Sequence, residues 1–496
     1  MIAKKYMTSI KYPTINTLGE LIKSGYTSES VKNEIRRNLI ARLQKKEKVF
    51  EGIWGYDNTV IPDLERALLS RHDINFLGLR GQAKTRLARM MVQLLDEFIP
   101  VVKGSEINDD PLSPLSSFAK NLIAEKGDKT PITWLHRSER YVEKLATPDV
   151  TVADLIGDVD PIRAINEKLS YNDERVIHFG IIPRANRSIF VINEMPDLQS
   201  RIQVALFNIL QEGDIQIRGF KFRLNLDMQF VFTANPEDYT NRGSIVTPLK
   251  DRIGSQILTH YPKDIETAKK ITLQEARISP DQKSNVTVPE LLKDLVEYLV
   301  MEARVNEYVD HKSGVSARLS ITAYENLIST AERRSLINGE GKTTVRISDL
   351  YGIIPNITGK IEMVYEGEQE GPHNVAMILL GKALRTVFSL HFPAVDKSKT
   401  EEKSPYKRIT DWFEQGNSLA LNFDSKDNMY ARELNRVDGL AELVDKHIQD
   451  SGKMDRYLWM EFVLHGLAEY SKLSKKTFDD RAIFSDLLGS MLGEYQ

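Results

Sequence analysis

The residues best suited to chemistry in this sequence lie in one short loop with the composition of a phosphate-binding site. Gly78 is followed by four residues and then by Ala83, Lys84 and Thr85, which nearly matches G-x-x-x-x-G-K-S/T. In such a loop, backbone N–H groups face phosphate oxygens, the lysine contacts the β- and γ-phosphates, and the hydroxyl binds Mg²⁺. The sequence therefore predicts a nucleotide-phosphate site formed by Gly78, Gly81, Gln82, Ala83, Lys84 and Thr85.

The loop departs from the pattern at Ala83, where the second glycine would stand. A methyl group is easily accommodated only at negative φ, so we expect Ala83 to have a negative φ and the loop to differ in shape. The surroundings fit a phosphate loop, because an apolar strand precedes it and a helix is predicted to follow. The helix is predicted from apolar residues at helical spacing: Leu87, Met90, Met91, Leu94, Leu95 and Phe98. A glycine-containing turn before an ordinary helix is the alternative interpretation of this segment alone.

A second apolar strand, 188–193, ends in Asn193 and Glu194. P-loop ATPases have an Asp-Glu pair here, in which the Asp holds Mg²⁺ through water and the Glu orients and deprotonates the attacking water. Glu194 is thus the predicted catalytic base, although an acid that opens the next helix is the alternative. Asn193 is the predicted outer-shell metal ligand, but its amide brings no charge. We therefore expect slow hydrolysis with a high demand for Mg²⁺, and we expect Asn193→Asp to lower that demand.

Three further residues are candidates for catalysis. Asn235 ends the apolar strand that begins at Phe230 and is predicted to hydrogen-bond the attacking water or the γ-phosphate; a turn asparagine before Pro236 is the alternative. Arg252 and Arg318 are considered because a phosphoryl-transfer site can take an arginine from a lid or a neighbouring subunit. Taken singly, such arginines are usually surface salt-bridge residues.

The elements that must position these residues follow from the hydrophobic pattern. Short apolar runs alternate with helical stretches up to Pro262, which indicates a parallel sheet covered by helices. Alternating apolar residues on both sides of Arg218-Gly219 predict a β-hairpin. The predicted organisation is a helical segment at 1–45, an α/β nucleotide-binding domain at 46–262, a helical lid at 263–358, a helical extension at 359–395, a charged linker at 396–405 and a C-terminal helical region at 406–496.

Composition narrows the functional classes. The 496 residues carry 67 Lys plus Arg and 70 Asp plus Glu, a formal net charge of −3, which argues against a nucleic-acid-binding role. The chain has no cysteine, which excludes disulfides, thiol catalysis and cysteine-ligated metals. No apolar run approaches the roughly 20 residues that span a bilayer, so we expect no membrane span and a cytoplasmic location.

The order of these motifs resembles that of the AAA+ ATPases of the magnesium chelatase I-subunit and MoxR group. The resemblance covers roughly residues 50–349. It rests on the phosphate loop and on further segments that match the group's Walker B, helix-2 insert, sensor 1, arginine-finger and sensor 2 motifs in turn: 176–194, the hairpin 214–226, 232–236, Asp251-Arg252-Ile253 and Gly314-Val-Ser-Ala-Arg318. Departures from the group's pattern occur at Ala83, Asn193 and Ile253.

The resemblance implies a P-loop AAA+ core with a helix-2 β-hairpin insert, followed by a helical lid. It also implies a homo-oligomeric ring, usually of six subunits, with ATP and Mg²⁺ at the subunit interfaces. Arg252 would then be an arginine finger and Arg318 a sensor 2 residue. An acidic stretch, 365–371, lies beyond these motifs; a metal or partner site is one interpretation, and a solvated helix entrance is the preferred one.

Three functions fit this resemblance. The leading hypothesis is a MoxR-type ATPase that remodels a protein partner, one with a von Willebrand factor A domain. The second is a magnesium chelatase motor that drives Mg²⁺ into a porphyrin held by another subunit. The third is a nucleotide-binding scaffold with little hydrolysis, which Asn193 suggests. A transcriptional activator of the enhancer-binding type is disfavoured because its Gly-Ala-Phe-Thr-Gly-Ala loop and a helix-turn-helix signal are missing from the sequence.

Overall fold

The computed structural model describes residues 12–166, 168, 174–212, 214–215, 224–236, 245–395, 404–448 and 453–487. They belong to two compact units that divide between His260 and Tyr261. The predicted hairpin turn at Arg218-Gly219 and residues 396–403 of the predicted linker lie outside the described residues. The division into the six predicted segments remains a prediction. None of the described helices is long and apolar enough to cross a membrane.

The first unit combines a parallel sheet with several short strand pairs. Its described strands are β1 (Ile74–Leu77), β2 (Phe98–Val102), β3 (Ile132–His136), β4 (Tyr141–Leu145), β5 (Gly157–Val159), β6 (Ile177–Phe179), β7 (Ser188–Asn193), β8 (Asp214–Ile215), β9 (Leu224–Asn225), β10 (Met228–Ala234) and β11 (Ser255–Leu258). Its α-helices are Leu18–Lys23, Val31–Gln44, Val60–Leu69, Lys84–Met90, Ser117–Lys126, Val152–Leu155, Pro161–Asn166, Ile181–Arg184, Ser200–Ala205, Phe207–Glu212 and Thr247–Arg252.

The central sheet has five strands in the order β11-β1-β10-β7-β4, and every neighbouring pair is parallel. All residues of β7 and β10 are buried, as expected for parallel strands that are covered on both faces. The predicted α/β core with a parallel sheet is confirmed. Because the carboxyl ends of parallel strands meet at one edge, the residues after β1, β7 and β10 are brought together there.

The helix predicted after the phosphate loop ends earlier than the pattern suggested. It runs from Lys84 to Met90, a 3₁₀ turn follows at Met91–Leu94, and Phe98 is already the first residue of β2. Leu95 already has extended backbone, with φ −87° and ψ 149°, which ends the helical run before Phe98. The predicted core positions Leu87, Met91, Leu94 and Leu95 are nevertheless buried.

Two other predicted elements are confirmed. Val31–Gln44 forms a helix within the predicted N-terminal segment and buries Val31, Ile35 and Leu39, whereas Leu43 is 37% exposed. β8 pairs with β9 antiparallel, with Asp214 opposite Asn225, as the hairpin prediction requires.

The second unit is mainly helical, as predicted, but it also contains strands. Its α-helices are Ile265–Glu275, Pro280–Asn285, Glu290–Val305, Arg318–Asn338, Ile354–Thr358, Tyr365–Glu370, Pro372–His391, Lys407–Glu414, Asp427–Leu434, Leu440–His447 and Lys453–Glu469. Its strands are β12 (Val286–Thr287), β13 (Thr343–Thr344), β14 (Leu419–Asn422), β15 (Ser474–Thr477) and β16 (Arg481–Ser485).

The C-terminal part of this unit contains an antiparallel sheet, β14-β16-β15, that the sequence did not predict. β14 alternates buried and exposed residues over only four positions, and β15 is the polar run Ser-Lys-Lys-Thr. Neither segment is long or apolar enough for its period to stand out from the helices around it.

A buried ion pair joins the helix Val31–Gln44 to the central sheet. Arg140, just before β4, donates from Nη1 and Nη2 to the Glu34 carboxylate at 2.7 and 2.6 Å, and both side chains are almost completely buried. Arg140 Nε also donates to the carbonyl oxygen of Arg187 at 2.8 Å, and Glu34 accepts from the backbone N–H of Asp96 at 2.7 Å. The guanidinium and the carboxylate therefore have their partners within the protein.

Removing one partner of this pair should be strongly destabilising. We expect Arg140→Ala to lower the free energy of unfolding by about 3–5 kcal/mol, because Glu34 would remain as an uncompensated buried charge. The control is Arg37→Ala, since the Arg37 side chain is 50% exposed and contacts Glu29 and Asp96 at the surface. That change should cost about 1 kcal/mol or less. Urea unfolding of both variants checks this, and equal losses would contradict it.

Candidate nucleotide-binding site

The backbone of the loop after β1 contains two residues in the left-handed region. Gly81 has φ 73°, and Ala83 has φ 58° with ψ 16°. The expectation of a negative φ at Ala83 was therefore wrong. The alanine adopts the conformation that glycine would take, at a cost of roughly 1–2 kcal/mol for an L-residue. Gly78 cannot be replaced in the same way, because a Cβ there would overlap Thr259 Oγ1 and Gln82 Oε1.

Contacts with the surrounding elements hold this loop in place. Gln82 is buried, and its Oε1 accepts a hydrogen bond from Thr259 Oγ1 at 2.7 Å, just beyond the end of β11. The Tyr56 hydroxyl lies 2.9 Å from the carbonyl oxygen of Gln82 and 2.8 Å from that of His260. The Gln82 side chain therefore anchors the loop. Only the backbone N–H of Gln82 would then be available to contact a phosphate.

Lys84 joins the loop to the end of β10. Its ammonium donates to Asn235 Oδ1 at 2.6 Å, to the carbonyl oxygen of Leu79 at 3.0 Å and to that of Gly78. The register of β1 and β10 explains the meeting, since Leu77 is opposite Ala234 and both Gly78 and Asn235 follow directly. The structure thus brings together two of the predicted site residues, one that would bind phosphate and one that would order the attacking water.

Thr85 and Asn193, the two predicted metal ligands, also meet. Asn193 Oδ1 accepts hydrogen bonds from Thr85 Oγ1 at 3.3 Å and from Thr233 Oγ1 at 3.1 Å. Asn193 Nδ2 donates to Glu143 Oε1 at 2.6 Å, which fixes the orientation of the amide because an ionised carboxylate only accepts. A hydroxyl and an amide oxygen beside a carboxylate are the oxygen donors that Mg²⁺ prefers, so these side chains fit the metal.

Glu143 is a residue of this site that the sequence did not predict. It lies on β4, and Arg89 donates to its two carboxylate oxygens at 2.9 and 3.1 Å. This hydrogen bond raises the pKa of the Arg89 guanidinium. A signal exists in the sequence, because Thr85 and Arg89 are four residues apart and must share one face of a helix. Only the pairing of β4 with β7 shows which strand that face meets.

Glu194 has the backbone of a constrained turn. Its φ is 56° and its ψ 47°, and its N–H donates to Thr233 Oγ1 at 3.1 Å. The side chain is exposed at the edge where β7 ends. Within the part of the chain that the structure describes, its carboxylate makes no hydrogen bond or ion pair. An exposed carboxylate at this edge is suited to accept a proton from water.

The two predicted arginines lie on other elements. Arg252 ends the helix Thr247–Arg252, where Nη1 donates to the carbonyl oxygen of Pro248 at 2.7 Å and the guanidinium lies 5.3 Å from the centre of the Phe207 ring. Arg318 begins the helix Arg318–Asn338 of the second unit, and its side chain is exposed. Their catalytic roles remain predictions.

The acidic stretch 365–371 is largely a short helix, Tyr365–Glu370, with exposed acidic side chains. No group of three or more His, Asp or Glu side chains placed to hold a metal ion occurs among the residues described, here or elsewhere. The stretch therefore offers no support for the metal interpretation.

Comparison with known proteins gives two kinds of match. The chain is 26% identical over 198 residues to the magnesium-chelatase 38 kDa subunit of Cereibacter sphaeroides. The aligned segment covers 38% of this chain and 52% of the relative. It is 25% identical over 210 residues to the same subunit of Rhodobacter capsulatus, with 42% and 54% covered. The chain thus spans about half the length of the curated relatives it matches. No family model matches the sequence.

Solved structures give weaker likenesses. A cryo-EM structure of the complex between the BchI and BchD subunits of magnesium chelatase is 20% identical with a TM-score of 0.34, covering 64% of this chain and 98% of that one. Hsp104 in its closed state is 14% identical with a TM-score of 0.36, covering 62% of this chain and 50% of that one. The loop geometry, the parallel sheet and the sequence relatives agree, and the chain resembles the AAA+ ATPases of the magnesium chelatase group.

Proposed function

We propose that this chain binds ATP with Mg²⁺ at the loop 78–85 and hydrolyses it to drive a change in a partner protein. The observation that carries the proposal is the meeting of Lys84 with Asn235 and of Thr85 with Asn193 at the carboxyl edge of a parallel sheet. Ligands of open α/β sheets bind outside the carboxyl ends of the strands. Both pairs join the phosphate loop to the end of another strand of the sheet, where the groups needed for phosphoryl transfer can meet.

Each side chain has a distinct task in this proposal. Lys84 binds the β- and γ-phosphates, and Asn235, its hydrogen-bond partner, orients the attacking water. Thr85 and Asn193 hold Mg²⁺, which when bound neutralises charge on the transferred phosphoryl group. Glu194 positions that water and accepts its proton. These tasks need a carboxylate that is free to meet water, and the exposed position of Glu194 supplies one.

We further propose that the chain works as a homo-oligomeric ring, with six subunits as the preferred number, and remodels a protein partner. A MoxR-type role with a von Willebrand factor A partner is the leading version. The relatives at 25–26% identity favour a second version, in which the chain is the motor of a magnesium chelatase. Affinity capture of the full chain from its host separates these versions by the partner recovered. A steady-state ATPase assay separates both from a scaffold that hydrolyses little ATP.

The lysine is the sharpest test of nucleotide binding. We expect Lys84→Ala to weaken the affinity for ATP on the order of 10- to 100-fold, because charged hydrogen bonds to phosphate are worth about 1.5–3 kcal/mol. Titration with a fluorescent ATP analogue measures this. Lys48→Ala is the matched control, since it removes the same charge from a side chain that is 74% exposed. Equal affinities in the two variants would show that the loop does not bind phosphate.

The arginine finger can be tested by mixing variants. An arginine finger is worth roughly 10³ to 10⁵ in rate, so Arg252→Ala and Glu194→Gln chains should each be nearly inactive alone. If Arg252 acts on the neighbouring subunit, mixed rings should recover activity, because some interfaces then combine an intact Glu194 with an intact Arg252. Mixing Lys84→Ala with Glu194→Gln is the control, since both changes damage the same subunit's own site and no interface is repaired. Mixed rings as inactive as that control would rule out action in trans.

A further inference from the structure

Four side chains form a regular arrangement on one face of the sheet. In the parallel pairing of β4 and β7, Glu143 is opposite Val191 and Leu145 is opposite Asn193. Because side chains alternate along strands, Glu143 and Asn193 share a face as diagonal neighbours. Thr85 and Arg89 are one turn apart on the helix that covers this face. Thr85 contacts Asn193, Arg89 contacts Glu143, and the 2.6 Å hydrogen bond from Asn193 Nδ2 to Glu143 Oε1 joins the two pairs.

In this arrangement the negative charge lies on Glu143 of the adjacent strand instead of on residue 193. P-loop ATPases have an acid at the position of Asn193, and that acid holds Mg²⁺ through water. Asn193 itself is uncharged, but its amide donates a hydrogen bond to the Glu143 carboxylate on the next strand. The Glu143 side chain is 23% exposed, so solvent screens its charge only partly. The carboxylate also holds the Asn193 amide so that Oδ1 faces Thr85, where an oxygen acceptor is needed for the metal's water shell.

We propose that Glu143 is a positioning residue of the Mg²⁺ site, which supplies the site's negative charge and orients Asn193 toward Thr85. This inference rests on the proposed function of the same site. In this inference the acid and the amide have changed places: the amide of Asn193 lies at the end of β7, and the acid, Glu143, lies on β4 beside it. The structural alternative is that Glu143 serves only as the ion-pair partner of Arg89.

The pair has a consequence that reverses the expectation from sequence. In Asn193→Asp, two carboxylates would face each other across the present 2.6 Å contact, and like charges at that distance repel strongly. The new acid would lose its orienting hydrogen bond and turn away from Thr85. The single change Asn193→Asp should therefore raise the Mg²⁺ requirement instead of lowering it. Only the simultaneous change Glu143→Gln restores one acid and one amide.

The test is a double-mutant cycle on Mg²⁺-dependent nucleotide binding. The wild-type chain, N193D, E143Q and the double variant are titrated with Mg²⁺ at a fixed concentration of a fluorescent ATP analogue, and binding is also measured in EDTA. We expect each single variant to need about tenfold more Mg²⁺ for half-maximal binding, which corresponds to about 1.4 kcal/mol. The double variant should return to within about threefold of wild type. Binding in EDTA should be the same in all four chains.

Two further variants separate this role from a structural one. Glu143→Asp keeps the charge, so its Mg²⁺ requirement should lie between those of wild type and E143Q. Arg89→Met removes the ion pair but leaves the carboxylate, so it should lower the Mg²⁺ requirement, since a competing cation is gone. If Glu143 served only Arg89, then R89M and E143Q would shift the requirement in the same direction. Thermal unfolding of every variant confirms that each one is folded.

The outcomes distinguish this proposal from the one on which it rests. If the wild-type chain binds no nucleotide, both proposals are overturned. If it binds nucleotide but E143Q keeps the wild-type Mg²⁺ requirement, or the double variant shows the sum of the two single shifts, only the role of Glu143 is overturned. If E143Q does not fold, Glu143→Asp replaces it, and its partial shift carries the same decision.

Discussion

The parallel pairing of β1, β10 and β7 is the constraint on which the rest of the site depends. The three strands are buried almost completely, so their position is set by the apolar cores on both faces of the sheet. Their register places the residues that follow β1 and β10 side by side and brings the end of β7 next to them. A slip of one residue in a strand would turn its side chains to the other face. The polar contacts of Lys84 and Asn193 are therefore consequences of hydrophobic burial.

Two of the described non-glycine residues with left-handed backbone lie at the same edge of the sheet. Ala83 and Glu194 both have left-handed backbone, with φ of 58° and 56°. Strained conformations of non-glycine residues persist only where the surrounding contacts hold them, and they cluster at functional sites. Around Ala83 these contacts come from the anchored Gln82 side chain and from Tyr56. The sequence prediction failed at Ala83 because it weighed only the local cost of a methyl group and could not include tertiary contacts that offset it.

The parts of the molecule that were predictable are those in which one short segment carries the whole signal. The strand before Gly78, the strand ending in Asn193 and the strand before Asn235 all follow from local pattern, and their common edge follows from the geometry of parallel sheets. The end of the helix after the loop was not predictable from periodicity, because Leu94 and Leu95 stay buried although the helix has ended. The β14-β16-β15 sheet is stabilised by pairing between segments far apart in the chain, so no single segment of the sequence predicts it.

Glu143 shows why a site can be misjudged when positions are taken one at a time. The charge in a metal site acts through space, and it falls off with distance and screening, not with position in a motif. An amide at position 193 removes a charge from the motif, but the site also includes whatever the adjacent strand brings to the same face. Here that strand brings a carboxylate, held by Arg89 and by the Asn193 amide itself. Asn193 therefore does not by itself indicate a site without hydrolysis. The local charge depends on Asn193 and Glu143 together, and this pair retains one acid.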